Sequence, residues 1–182
     1  QVVAAQYHHI PTPKTRSQVS VTLAPSSTSQ ATLTILGCGT STGVPLPGCE
    51  CPVCLSTDPK NFRNCTSAYV KTPAGFGVLI DAAPDLRHQA IRWGVKRIDA
   101  VLFTHAHADH ILGIEDLRAY NFISHTRIPC FGTEHTLSRI KHVFDYIFSP
   151  DPDYEGGLLA QLDAIQFDFS STFIAADLVV KP

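Results

Sequence analysis

The sequence predicts a layered α/β protein in which helices pack on a mainly mixed sheet. Three features carry that expectation. Short apolar runs of β-rich composition come first, between Ala31 and Ala83; similar runs then alternate with stretches of helical period; and Gly- and Pro-rich segments separate most of them.

From Ala31, "ATLTILGCGT" alternates, becomes continuously apolar and stops at glycines, as a strand feeding a loop does. After a Gly, Pro and Cys loop to about Asp58, "TSAYVKT" and "VLIDAA" flank the turn "PAGFG" and form a hairpin. Pro84 is placed to start a helix. In "DLRHQAIRW" the apolar residues Leu86, Ala90, Ile91 and Trp93 supply a face to pack on a sheet, and Gly94 ends the helix. "IDAVLF" reads as a buried strand, "ILGIEDLRAYNF" as a short helix and "IPCF" as another strand. A longer helix, "TEHTLSRIKHVFDYIF", carries Leu137, Ile140, Val143, Phe144 and Ile147 at helical spacing, with Thr133 as its N-cap. "SPDPDYEGG" breaks the pattern, and "AIQFDF" and "TFIAADLVV" follow as strand-like runs. The last halts at Lys181 and Pro182 with no helix or polar tail after it, the pattern of an interrupted domain, so a C-terminally truncated domain is expected over 31–182.

Residues 1–30 are rich in Ser, Thr and Pro, lack Asp and Glu, and offer few large apolar side chains. They are expected to be a disordered or leader segment; organellar targeting is the alternative, although Lys14 and Arg16 are their only Lys or Arg. With 182 residues and a formal net charge of −2, the chain can bury one sizeable core and shows no case for general nucleic-acid binding, a local basic rim being left open. No apolar run approaches the roughly 18 residues of a membrane span, so no membrane partner is expected.

The six cysteines are unevenly placed. In "GCECPVC", Cys49, Cys51 and Cys54 let one tight loop present three sulfurs to a tetrahedral zinc, leaving a fourth position for a ligand from elsewhere. Such a site is closed and structural. A redox thiol cluster is the competing reading. Cys38, Cys65 and Cys130 lack this spacing and are expected to pack as small apolar residues. A cluster rather than a spread framework favours a reducing, intracellular compartment, the cytoplasm first.

"THAHADH" places three histidines and an aspartate directly after the apolar run "DAVLF". Neutral imidazole and ionised carboxylate both ligate zinc, manganese or iron. His105 and His107, two apart on extended backbone, share a face and can reach one ion; Asp109 and His110, at the turn into the next helix, can serve a second ion about 3.5–4 Å away. His125, His135 and His142 are expected to be ordinary surface residues, since nothing in their setting needs a ligand.

"THAHADH" resembles the His-x-His-x-Asp-His motif of the metallo-β-lactamase superfamily, and "VLIDAA", ending at Asp81, resembles the strand and aspartate that precede it there. The resemblance implies an αββα sandwich, incomplete here: the N-terminal half and part of the second. It assigns His105 and His107 to one metal and Asp109 and His110 to the other, the latter two being the candidate catalytic pair. Asp81 is implied to orient these ligands, the alternative being a hydrogen-bonded loop carboxylate. "LGCGTSTGVPLPGCECPVC" with "NCTSAYV", "LIDAAPD" and "LFTHAHADH" is similar to the PhnP-like phosphodiesterase branch, from about Thr34 to the chain end. In that branch a C-terminal histidine completes the cysteine zinc, and a histidine, a bridging aspartate and a final histidine complete the active site.

The implied function is hydrolysis of a small or cyclic phosphodiester, with two divalent ions (Zn or Mn) activating water and one structural Zn at the cysteines. The implied partner is a small-molecule phosphodiester, with a homodimer left open. Two alternatives remain open: a hydrolase of another ester or thioester class, and an inactive zinc-binding or interaction module.

Overall fold

The computed structural model describes residues 30–151, 153 and 155–182; the expected leader, Gln30 apart, lies outside them. Six strands form one sheet in the order β1 (Thr32–Gly37), β2 (Ser67–Lys71), β3 (Gly77–Ile80), β4 (Ala100–Leu102), β5 (Ile128–Gly132) and β6 (Leu162–Gln166). β1, β2 and β3 are antiparallel neighbours, whereas β3 to β6 run parallel. β1 therefore points the same way as β3. The chain leaves β1, β3, β4, β5 and β6 at one rim of the sheet, where open α/β sheets gather their ligands.

Parallel neighbours need crossovers, and the helices supply them. α1 (Leu86–Trp93) joins β3 to β4; α2 (Ala108–Ile111), a 3-10 turn (Ile114–Leu117) and α3 (Arg118–Ser124) join β4 to β5; α4 (Glu134–Val143) and α5 (Asp145–Phe148) join β5 to β6. Leu79, Val101, Cys130 and Leu162 of the sheet pack against Leu86, Ile111, Leu117 and Ile140 of this layer. Their burial drives the two layers together, each large side chain contributing about 1.5–3 kcal/mol. On the opposite sheet face, Val78, Ala100 and Phe131 lie under a separate hairpin, β7 (Phe173–Ala175) and β8 (Leu178–Val180). The Phe173 ring stacks on Phe131 and Phe167 at centroid distances of 5.0 and 4.7 Å, and Thr72 Oγ1 donates to Asp177 Oδ2 at 2.9 Å, fastening the hairpin to the β2–β3 turn. Leu33 and Ile35 share this face through the pairing Leu33–Val70–Val78, yet remain 60% and 52% exposed.

Several expectations need correction. α1 buries Leu86, Gln89 and Ala90, while Ile91 and Trp93 point outward. Gln89 holds a core position because its amide nitrogen donates to the Cys65 carbonyl at 2.8 Å, a link invisible in apolar periodicity. Pro84 precedes the helix rather than opening it: Asp85 is the N-cap, and Gly94 closes α1 at φ 65°. Thr133 caps α4 as expected, accepting from Thr136 N–H at 3.3 Å. The predicted long helix breaks at Phe144 (φ −118°, ψ 44°), which keeps Phe144 and Ile147 in the core and leaves Val143 exposed. "TFIAADLVV" is two strands, because Ala176 takes a left-handed turn at φ 56°. Cys65 and Cys130 are buried, as expected; Cys38 is exposed.

Candidate metal centre

Asp81 leaves β3 at φ 59°, a conformation aspartate tolerates better than most residues. Its backbone is pinned by a donation to the Leu102 carbonyl (2.9 Å) and by Ser67 Oγ donating to its own carbonyl (2.8 Å). The side chain, in a residue 2% exposed, accepts three hydrogen bonds: from Thr104 N–H at 2.8 Å, Thr104 Oγ1 at 2.7 Å and His110 Nδ1 at 2.8 Å.

Those bonds set the histidine tautomers. With its Nδ1 proton committed to Asp81, His110 turns the Nε2 lone pair toward Asp109 Oδ2, 3.2 Å away. Lone pair facing carboxylate is unfavourable unless a proton or a cation lies between them. Thr104 Oγ1 gives its hydrogen to Asp81 and so accepts from His105 Nδ1 at 3.0 Å, which leaves His105 Nε2 as a ligand atom. The His105 ring lies 4.6 Å from His107 and 4.0 Å from His110, centroid to centroid. The structure thus brings His105, His107, Asp109 and His110 together, with Asp81 behind them. Among the described residues, the triple of mutually close ligand atoms is Cys49, Cys51 and Cys54.

Backbone contacts hold the motif to the loop after β3. Ala82 N–H donates to the His110 carbonyl at 2.8 Å, and Gly113 N–H to the Ala82 carbonyl at 2.9 Å. A side chain at Gly113 would not fit, since its Cβ would come within 2.1 Å of the Ala83 carbonyl.

The long loop after β1 leaves from the same rim. Paired amide contacts between Val44 and Arg63 close it, and Cys65 N–H donates to Asp85 Oδ2 at 2.8 Å. Within it the sulfurs of Cys49, Cys51 and Cys54 all lie within 4.8 Å of one another. Leu46 N–H donates to Cys54 Sγ at 3.4 Å, and Cys54 N–H to Cys51 Sγ at 3.5 Å. The Cys54 amide, then the Cys49 thiol, lower the Cys51 pKa to about 7. Cys54 moves up: the Leu46 amide that favours its thiolate is outweighed by burial and by the sulfurs of Cys49 and Cys51. A loop that readily gives up one thiol proton and gathers three sulfurs fits a soft or borderline cation. Elsewhere burial, reinforced by Asp85, lifts the Cys65 thiol to about 11, and burial raises Cys130 as well, so both behave as inert core residues.

His125, His135 and His142 are exposed, His125 as the left-handed cap of α3. Thr104 is the site residue that sequence reasoning passed over, although it stands beside His105 in the motif.

The family profile described as the Beta-lactamase superfamily domain matches residues 77–180. An octanoyltransferase of Porphyromonas gingivalis is 41% identical over 148 residues, 81% of this chain and 29% of that protein. A ribonuclease Z of Clostridium acetobutylicum is 38% identical over 66 residues, 35% of this chain and 21% of that protein. Among solved structures, a diphosphatase from the PhnP family superposes with a TM-score of 0.70 at 42% identity, covering 80% of this chain and 53% of that one. Zn(2+)-bound PqqB from Methylobacterium extorquens shares the fold, with a TM-score of 0.57 at 24% identity over 78% of this chain and 47% of that one. The chain spans about half the length of these solved relatives and less than a third of these two curated ones. With its mixed sheet, its His-x-His-x-Asp-His rim and a profile match over more than half its length, the chain belongs to the metallo-β-lactamase superfamily.

Proposed function

We propose that the chain serves metal-dependent hydrolysis of a small or cyclic phosphodiester, with two divalent ions, zinc or manganese, at the histidine–aspartate cluster and a structural zinc at Cys49, Cys51 and Cys54. One observation carries the first part: Asp81 fixes His110 so that Nε2 faces Asp109 Oδ2 at 3.2 Å, two ligand atoms close enough to share one ion where no proton lies between them. Such ions, when bound, supply Lewis acidity toward phosphoryl oxygens and make water a competent nucleophile near neutral pH.

The chain's own residues divide the remaining work. His105 and His107 hold one ion, and Asp109 and His110 the other; Asp81, directly and through Thr104, keeps two imidazoles in the ligating tautomer. The exposed hydroxyls of Thr40, Ser41 and Thr42 stand on the same rim and can donate to phosphoryl oxygens. The similar solved structure described as a diphosphatase, and the relative named ribonuclease Z, support chemistry at phosphorus.

The test is turnover of bis(4-nitrophenyl) phosphate, a 2′,3′-cyclic nucleotide, a diphosphate and an acyl thioester with manganese or zinc. Expected is metal-dependent cleavage of the phosphodiesters, reduced at least about 100-fold by His107→Ala or Asp109→Ala with the circular dichroism spectrum unchanged. A Cys49/Cys51/Cys54→Ser protein that takes up no metal at the histidines would overturn the proposal. The sulfur triple favours a second reading, a zinc-binding module without turnover. Its signature is one tightly held zinc, lost in that triple variant, and no hydrolysis.

A further inference from the structure

The turn that follows β1 holds a run of donors that the candidate metal ligands leave unused. Three successive carbonyl oxygens of this turn are taken. Thr66 Oγ1 donates to the Gly39 carbonyl at 2.8 Å, Gly43 N–H to the Thr40 carbonyl at 3.0 Å, and the Cys65 thiol to the Ser41 carbonyl at 3.6 Å. In a planar trans peptide the N–H points opposite to the carbonyl before it, so the amides of Thr40, Ser41 and Thr42 turn away from those three donors. None of these amides, nor the Ser41 hydroxyl, has a partner among the described residues. The Thr40 and Thr42 hydroxyls bond each other at 3.2 Å, which leaves one hydrogen of the pair to spare.

The turn is pinned beside the histidine–aspartate cluster. Thr66 grips Gly39, and the next residue, Ser67, donates to the Asp81 carbonyl at 2.8 Å, so two adjacent side chains link the turn to the residue that holds His110. Cys65 bonds Ser41 through its thiol and Asp85 through its amide. Burial first, then the charges of Asp85 and Asp109, raise that thiol, which places it within the field of the candidate ligand Asp109. Glycines press the turn against residues 63–65: a Cβ on Gly39 would come within 2.7 Å of the Asn64 carbonyl, and Gly43 stands at φ 66°. Thr40, Ser41 and Thr42 remain exposed, and no Asp or Glu occurs from Ala31 to Cys49.

We propose that the turn Thr40–Gly43 is a phosphoryl-binding subsite, in which the amides of Ser41 and Thr42, with the Ser41 hydroxyl, cradle the non-bridging oxygens of the substrate. The substrate class rests on the hydrolase reading; the subsite itself needs no ion. Successive N–H groups of a turn form a concavity of partial positive charge, and the hydroxyls add donors without adding a competing acid. Hydrogen bonds to a charged oxygen are the strong ones, and this set is held in place before any substrate arrives. A planar ester or thioester brings no anionic oxygen to fill the cradle, so the turn selects phosphorus over acyl carbon.

The experiment follows backbone amide signals by heteronuclear NMR as inorganic phosphate, and separately acetate, is added to the zinc-loaded chain. The same titrations are run on His107→Ala/Asp109→Ala, which removes one ligand from each proposed ion. Expected is a saturable shift of the Ser41 and Thr42 amides with phosphate in both proteins. Affinity should fall at least about tenfold in Ser41→Asp and in Thr40→Val/Thr42→Val, with the amide signals of the rest of the chain in place. Phosphate shifts without turnover of any phosphodiester would sink the hydrolase reading and leave the subsite standing. Three results would each overturn the subsite: amides that phosphate leaves unmoved in His107→Ala/Asp109→Ala, acetate acting as strongly as phosphate, or shifts indifferent to both turn variants.

Discussion

At the scale of the residue, Asp81 decides most of the site's behaviour, because one buried carboxylate satisfies Thr104 twice and His110 once. Asp81→Ala leaves those donors without an acceptor and should cost about 3 kcal/mol, read from urea unfolding. Asp81→Asn keeps the shape and tolerates the φ of 59°, so most stability should survive. Its loss of charge should nonetheless weaken zinc or manganese binding about 10- to 100-fold by calorimetry. Cys51 gives a pH test. Its thiol is lowered to about 7, so the thiolate persists to lower pH than in an ordinary cysteine; alkylation of the metal-free chain at Cys51 should rise through about pH 7 and fall below it, as mass spectrometry of the labelled peptide can follow. Zinc should suppress the reaction. The candidate ligands could be picked out in the sequence because spacing on an extended stretch fixes which side chains share a face. Thr104 was not, since its role depends on Asp81, 23 positions earlier, and nothing local signals that meeting.

At the scale of the element, the loop after β3 and the start of α2 behave as one piece, joined by the Ala82–His110 and Gly113–Ala82 amide bonds. Gly113→Ala forces a methyl toward the Ala83 carbonyl and against Leu86 Cβ, both in the core. It should destabilise by about 3 kcal/mol in thermal unfolding and weaken metal uptake as the motif is displaced. Strands and caps read correctly wherever local pattern suffices, as at β1, at the β2–β3 hairpin and at Thr133. The misread elements share a cause: tertiary contact outweighed periodicity. Gln89 displaces the expected Ile91 and Trp93 from the packed side of α1 because the Cys65 carbonyl gives its amide a partner. Phe144 breaks a helix whose apolar spacing looked continuous, and Ala176 turns a chain that carries no glycine to announce the turn.

At the scale of the whole molecule, the sheet separates stability from chemistry. The faces are braced by the helices and by the β7–β8 hairpin, while the loop after β1 buries none of its residues between Cys38 and Asn64. Such a loop has amide contacts but no core, and a metal staple is the natural remedy. Chelation of a zinc-loaded chain should therefore raise hydrogen exchange about 100-fold in residues 44–58 and leave β3 and β4 untouched. Identification of the superfamily was legible from two short stretches. One consequence of the shared strand direction reaches further. Every segment that carries a candidate ligand is an outgrowth of a single border of the sheet, so a duplication or splice there would refashion the surroundings of those side chains while their footings stay where they were. A lineage built on this plan can change its clientele by tailoring hems, with the cloth left uncut.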